Sequence, residues 1–251
     1  MEGKKQFNGI TYKSFSDVPK ELVSSGYVED NFVDYFVSKC EYYSEKFLQD
    51  DCITKLPLLI NLLSSCRNKV SVLDYGGGVG EIYFGVGKYL ISPGDVSWNV
   101  VDVDGVVAAA RDRITNKKNL FFHNNIESVK DVDVLLFRQS LQIIEDYKSV
   151  MRNICSSFEP DIIYISGVSA GENEEYLTLV LLEGDKGLPC YIFNEKELVG
   201  YVNSLGYILL ERYIEDIDID LSGFTARRSL PEDKTENKAK GYVFLREGVF
   251  K

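Results

Sequence analysis

At 251 residues the chain is long enough for one large domain, or for a domain with a helical annex, and its 45% apolar residues can fill a core, so global disorder is not expected. With 28 Lys and Arg against 39 Asp and Glu, the formal charge of −11 argues against nucleic acid or an anionic membrane as a partner held by bulk electrostatics. No stretch reaches the roughly 20 consecutive apolar residues that span a bilayer, and the opening Met1-Glu2-Gly3-Lys4-Lys5-Gln6 is polar where a secretion signal would be apolar.

In chain order, Phe32, Tyr35, Phe36, Lys39, Tyr42, Tyr43 and Phe47 recur at helical spacing and predict a helix with an aromatic face against the core. A second helix is expected over residues 53–63, with Pro57 in or near its first turn. Residues 1–68 thus read as an N-terminal helical cap and residues 69–251 as a second unit. From Val70 the texture changes to short β-branched runs at 70–74, 96–102, 120–122, 132–137 and 162–165, with helix-compatible segments at 81–90, 105–113 and 147–158. Strands alternating with helices predict an α/β fold, a doubly wound parallel sheet covered on both faces. A helix follows over 195–205, with Asn194 as N-cap and Gly206 ending it. Strands at 207–214 and 241–246, joined by a polar loop containing Arg227, Arg228 and Pro231-Glu232-Asp233-Lys234, form an antiparallel pair at one sheet edge. Glu211, Glu215, Asp216, Asp218 and Asp220 read as the solvated side of that edge.

The cysteines Cys40, Cys52, Cys66, Cys155 and Cys190 are odd in number and contain no C-x-x-C pair, which speaks against a zinc site or a disulfide framework and for a reducing cytoplasm. His123 is the single histidine, so mechanisms that need two are excluded. The informative segment is Asp74-Tyr75-Gly76-Gly77-Gly78-Val79-Gly80-Glu81, a glycine-rich turn between a strand and a helix. In a doubly wound sheet, ligands bind beyond the carboxyl ends of the strands, where glycines let them approach the backbone. A dinucleotide fingerprint would need glycine where Glu81 stands, and Asp74 and Glu81 both oppose a pyrophosphate. A ligand with an ammonium group suits this corner better. Asp102, ending the second strand, is placed to accept ribose hydroxyls, and Asn124, Asn125 and Ile126 after the third strand suit an adenine edge. This combination describes S-adenosylmethionine better than NAD.

These features resemble the class I S-adenosylmethionine-dependent methyltransferases, over residues 70–246. The resemblance implies a Rossmann-like seven-stranded sheet with an antiparallel last strand pair. It implies cofactor contacts from Asp74, Tyr75, Gly76, Gly77, Gly78, Gly80, Asp102, Val103, Asn125, Ile126 and Gln139. A narrower likeness rests on the segment 7–15 with Gly26-Tyr27, on Asp74-Tyr75-Gly76-Gly77-Gly78, on Ser140-Leu141-Gln142 with Glu145-Asp146, and on Leu188-Pro189-Cys190-Tyr191-Ile192-Phe193. It resembles bacterial methyltransferases associated with surface-polysaccharide (O-antigen or capsule) gene clusters, and implies a small-molecule or glycan-precursor acceptor. Two departures concern acceptor and cofactor recognition: Asp102-Val103 stands where many relatives have Glu followed by Gln or Pro, and Ser166-Gly167-Val168-Ser169 lacks an Arg-Thr pair.

Methyl transfer from a sulfonium is an in-line displacement in which orientation supplies much of the rate, and a hydroxyl acceptor also needs a base. His123 is the candidate base by residue type, although its place directly after the third strand lies on the adenine side of the methyltransferase plan, where it would be a hydrogen-bonded loop histidine. Gln142 is placed to orient the acceptor, and Arg138 either clamps an anionic group on it or is a surface or salt-bridged arginine. No metal cluster is expected. A non-catalytic binding module of the same fold, or an NAD-dependent oxidoreductase or epimerase, are the competing readings.

Overall fold

The computed structural model describes residues 11–24, 30–45, 51–115, 117–172, 174–183, 186–215, 227–228 and 239–249. Phe7, Gly26, Tyr27, Phe47, Asp216, Asp218, Asp220 and the 231–234 segment singled out above lie outside them. Six α-helices are described: α1 (Asp30–Glu45), α2 (Asp51–Cys66), α3 (Glu81–Gly87), α4 (Asp104–Arg113), α5 (Tyr147–Phe158) and α6 (Glu195–Ser204). The described strands are β1 (Val70–Tyr75), β2 (Val96–Val101), β3 (Leu120–His123), β4 (Val134–Arg138), β5 (Ile162–Gly171), β6 (Tyr176–Glu183), β7 (Lys186–Asn194), β8 (Tyr207–Ile214), β9 (Arg227–Arg228) and β10 (Ala239–Arg246).

β1 is a run of buried residues because it lies mid-sheet, with β2 on one side and β4 on the other, both parallel to it. β3 lies beyond β2 and β5 beyond β4, again parallel. β10 then pairs antiparallel with β5, and β8 antiparallel with β10. The order β3-β2-β1-β4-β5-β10-β8 is the doubly wound sheet with an antiparallel last pair that the sequence predicts. On one face, Val72, Trp98, Val100 and Leu136 share a buried cluster with α1, α2, α3 and α4. On the other, Leu73, Leu135, Phe137, Ile163 and Phe244 pack with Met151 and Ile154 of α5 and Leu198 and Val202 of α6. α5 and α6 start at side-chain caps: Asp146 accepts from the Ser149 N–H (3.1 Å) and Asn194 from the Glu197 N–H (2.9 Å). At the strand ends remote from the glycine turn, buried Asp161 bonds Arg246 (2.8 Å) and pairs with Arg67, which also pairs with Asp133.

The architecture departs from the sequence reading in four places. First, β6 and β7 form an antiparallel hairpin that extends from the end of β5, where Ala170 and Gly171 pair in parallel with Phe193 and Asn194. Pro189 inside β7 hides that strand from a sequence reading, since proline argues against a strand. Second, Arg227 and Arg228, read as loop, pair with Leu181 and Val180 as β9, so ten strands are described rather than seven. Third, Pro57 is an interior residue of α2, because the helix begins at Asp51 and not near Ile53. Fourth, Glu215 is buried.

Val33 and Cys40 of α1 and Leu56, Ile60 and Leu63 of α2 belong to the same buried cluster as the sheet. Leu56→Ala therefore lowers the stability of the whole chain by about 2–5 kcal/mol, in one cooperative transition. Urea denaturation followed by far-UV circular dichroism checks this; a biphasic curve with an unshifted second step contradicts it.

Candidate functional site

The turn between β1 and α3 is drawn tightly around Asp74. Gly76, Gly78 and Gly80 all have left-handed φ, of 70°, 59° and 79°. Gly77 approaches Asp74 so closely that an added Cβ would lie 2.4 Å from its carboxyl carbon. The Gly76 N–H donates to the Val101 carbonyl (2.7 Å), and the Ser140 hydroxyl donates to the Tyr75 carbonyl (2.6 Å). The ends of β1, β2 and β4 are thereby tied into one rim. Asp102 completes it: its two oxygens accept from the N–H of Gly78 (2.9 Å) and of Val103 (2.7 Å). A carboxylate has about four acceptor positions, so both oxygens retain capacity for further donors. Val103 beside it is 58% exposed.

Asp74 is fully buried, and its Oδ2 accepts from the Trp98 indole N–H (3.1 Å). Its Oδ1, and Oε2 of Glu81, are enclosed atoms with no hydrogen-bond partner among the described residues. Burial first, then the Glu81 charge, pushes Asp74 up to about 7, against the lowering effect of the Trp98 bond. Burial also raises Glu81, which Lys39 and Arg138 oppose. Asp102 is raised by burial and held down by its two backbone bonds. Three carboxyls, each raised by burial, thus converge on the turn.

The exits of β4 and β5 form the neighbouring wall. Gln139 has a left-handed φ of 53°, and its N–H donates to the Ser166 carbonyl (2.8 Å). The Gln142 amide donates to the Gly167 carbonyl (3.2 Å), while its buried Oε1 has no partner among the described residues. Arg138 donates to the Ser166 hydroxyl (3.1 Å). Asn125 is exposed on the turn after β3, where its Oδ1 accepts from Ser128 (3.3 Å), and Ile126 packs on the α5 side of the sheet.

His123 stands apart from this wall. It ends β3, and three strand spacings put it about 14 Å from β4. Its Nε2 lies 3.1 Å from Asn99 Oδ1, while the Asn99 amide donates to Ser71 Oγ (3.1 Å). Burial and then Arg111 lower its pKa. The structure therefore separates His123 from Gln142, the two residues that the sequence reading paired as catalytic. Glu215, which that reading left among solvated acids, is instead joined to Ser166 and Gly167 in the wall; no local sequence pattern marks it. Among the described residues, no group of three or more His, Cys, Asp or Glu is placed to hold a metal ion.

No protein-family model and no curated protein matches the sequence. Solved structures do match in shape. A Methanosarcina mazei S-adenosylmethionine-dependent methyltransferase superposes with a TM-score of 0.50 at 14% identity, covering 74% of this chain and 96% of that one. The magnesium protoporphyrin IX methyltransferase ChlM of Synechocystis PCC 6803, with S-adenosylhomocysteine bound, gives 0.52 at 10% identity, covering 89% and 100%. The chain has the class I methyltransferase fold. The [4+2]-cyclase SpnF also matches, with a TM-score of 0.51 at 15% identity over 76% of this chain and 80% of that one. The methyltransferase fold thus sets the frame, and the reaction has to be argued from the site.

Asp74 holds its proton more tightly in the folded chain, at about 7, than unfolded, near 3.8. Between those values the folded state binds more protons, so this group's contribution to stability falls as the pH rises from about 4 to about 7. Asp74→Asn removes that slope. Thermal melts of the ligand-free protein across this range check it; identical pH slopes for the two proteins contradict it.

Proposed function

We propose that the chain is an S-adenosylmethionine-dependent methyltransferase. One observation carries the reading: Asp74 Oδ1 and Glu81 Oε2 are enclosed carboxyl oxygens at the glycine turn with no partner among the described residues. A ligand ammonium would satisfy both and favour their ionised forms, whereas a pyrophosphate would add negative charge to a site that already raises its own carboxyls. The residues present fit this cofactor. Asp74 and Glu81 would hold its amino group, Asp102 its ribose hydroxyls, and the glycine turn its chain. Val103, Asn125 and Ile126 would flank its adenine, and Tyr75 and Gln139 its methionine side. When bound, the cofactor supplies an electrophilic methyl group on a sulfonium.

The chain's own contribution is orientation and shielding. Ser140 locks the end of β4 to Tyr75, so the wall carrying Gln139 and Gln142 keeps a set distance from the glycine turn. Gln142 Oε1 offers an acceptor for a donor group on the substrate. His123, held by Asn99 on the outer strand, is remote from this wall.

The finer reading is O-methylation of a sugar or related precursor of a bacterial surface glycan. Its support is that segments carrying the narrower resemblance meet in space. The Tyr191 hydroxyl donates to the Glu145 carbonyl (3.0 Å), Phe15 packs on Tyr191 with ring centroids 5.3 Å apart, and Tyr191 stacks on Phe193 at 5.9 Å.

Calorimetric titration tests the proposal. S-adenosylhomocysteine binds, more tightly as the pH rises from about 6 through Asp74's value near 7 and no further above it. Asp102→Ala weakens binding about tenfold or more, and NADH gives no heat. The absence of heat and of a thermal shift with S-adenosylhomocysteine and S-adenosylmethionine, or comparable binding of NADH, overturns it.

A further inference from the structure

Glu215 follows β8 directly and is only 7% exposed, although the strand before it lies at the sheet edge. Its backbone N–H donates to the Ala239 carbonyl (2.9 Å), which fastens it to β10. Its Oε1 accepts from both the Ser166 hydroxyl (2.7 Å) and the Gly167 N–H (3.0 Å). One carboxylate oxygen therefore fixes two successive residues of β5. Ser166, itself fully buried, accepts in turn from Arg138 (3.1 Å), so guanidinium, hydroxyl and carboxylate form a continuous chain. Gly167 has a left-handed φ of 68°, and the space a Cβ would need is taken by Gln139, whose Cγ lies 2.4 Å from that position. The Gly167 carbonyl accepts from Gln142. Arg138, Gln139 and Gln142 thus all lean on the two residues that Glu215 holds.

A buried carboxylate costs more than a neutral acceptor at the same place. Here the cost is offset because the anion sits one hydroxyl away from Arg138, and charge-assisted bonds are the stronger and more directional kind. We infer that Glu215 is a positioning residue for the cofactor site: from the end of β8 it holds the Ser166–Gly167 bend of β5, and through that bend sets Gln139, Gln142 and Arg138. The inference rests on the methyltransferase reading above.

The test is S-adenosylhomocysteine affinity by calorimetry on the full chain, with circular dichroism and melting curves on each variant. Glu215→Ala weakens binding about tenfold or more while the protein still melts in one cooperative transition. Glu215→Gln, which keeps an oxygen for both donors, binds within about threefold of the parent. A purely structural acid would lower the melting temperature and leave affinity unchanged, and that result overturns the inference. So does Glu215→Gln binding as weakly as Glu215→Ala. Should Glu215→Ala not fold, Ser166→Ala breaks the chain to Arg138 while sparing the Gly167 bond. It is expected to weaken binding about threefold or more, and unchanged affinity overturns the inference. Failure of the parent protein to bind S-adenosylhomocysteine would instead strike the proposed function, before any variant is made.

Discussion

The site depends on carboxyl groups that the fold encloses at the glycine turn, where burial raises Asp74 and Glu81 against the pull of Arg138 and Lys39. Asp74 sits at the end of the central strand with its Trp98 bond on one oxygen and no partner among the described residues on the other, and Glu81 faces the same turn with an enclosed oxygen of its own. Folding a buried acid into such a place is unfavourable, which the upward shift of Asp74 to about 7 expresses directly. Such an arrangement persists when something outside the chain completes it, and the complement of two carboxylates is a cation with several N–H donors.

The rest of the architecture serves that corner. Parallel strands bring the ends of β1, β2 and β4 side by side, so that Asp74, Asp102 and Gln139 line one rim although they are far apart in sequence. The turn between β1 and α3 closes around Asp74 because Gly77 leaves no room for a side chain there. The antiparallel tail, at first sight only a way of ending the sheet, reaches back to the site through Glu215. The tail of the sheet is therefore joined to β5 by side-chain hydrogen bonds as well as by strand pairing.

The central half of the fold was legible from pattern alone, because buried parallel strands read as β-branched runs and the glycines mark the turn between strand and helix. The cap Asn194 carries its own signal. What escaped has physical reasons. β7 contains Pro189, which a strand reading rejects, yet the strand accommodates it opposite Leu179. The burial of Glu215 depends on donors from Ser166 and Gly167, about fifty positions away in sequence, so its local setting among acids pointed the other way. His123 is a base by residue type only; the strand order puts it at the outer edge of the sheet, on the adenine side that its place after the third strand already suggests. The enclosure of Asp74 and Glu81 was anticipated in charge but not in geometry: the sequence places both acids beside the glycines, and only the fold shows an oxygen of each to be buried without a partner.

The most direct measurement is a crystal structure of the protein soaked with S-adenosylhomocysteine. The amino group of the ligand is expected within hydrogen-bond reach of Asp74 Oδ1 and Glu81 Oε2, with the ribose on Asp102. An amino group directed elsewhere, or a cleft at the glycine turn that stays closed by side chains at saturating ligand, would contradict it.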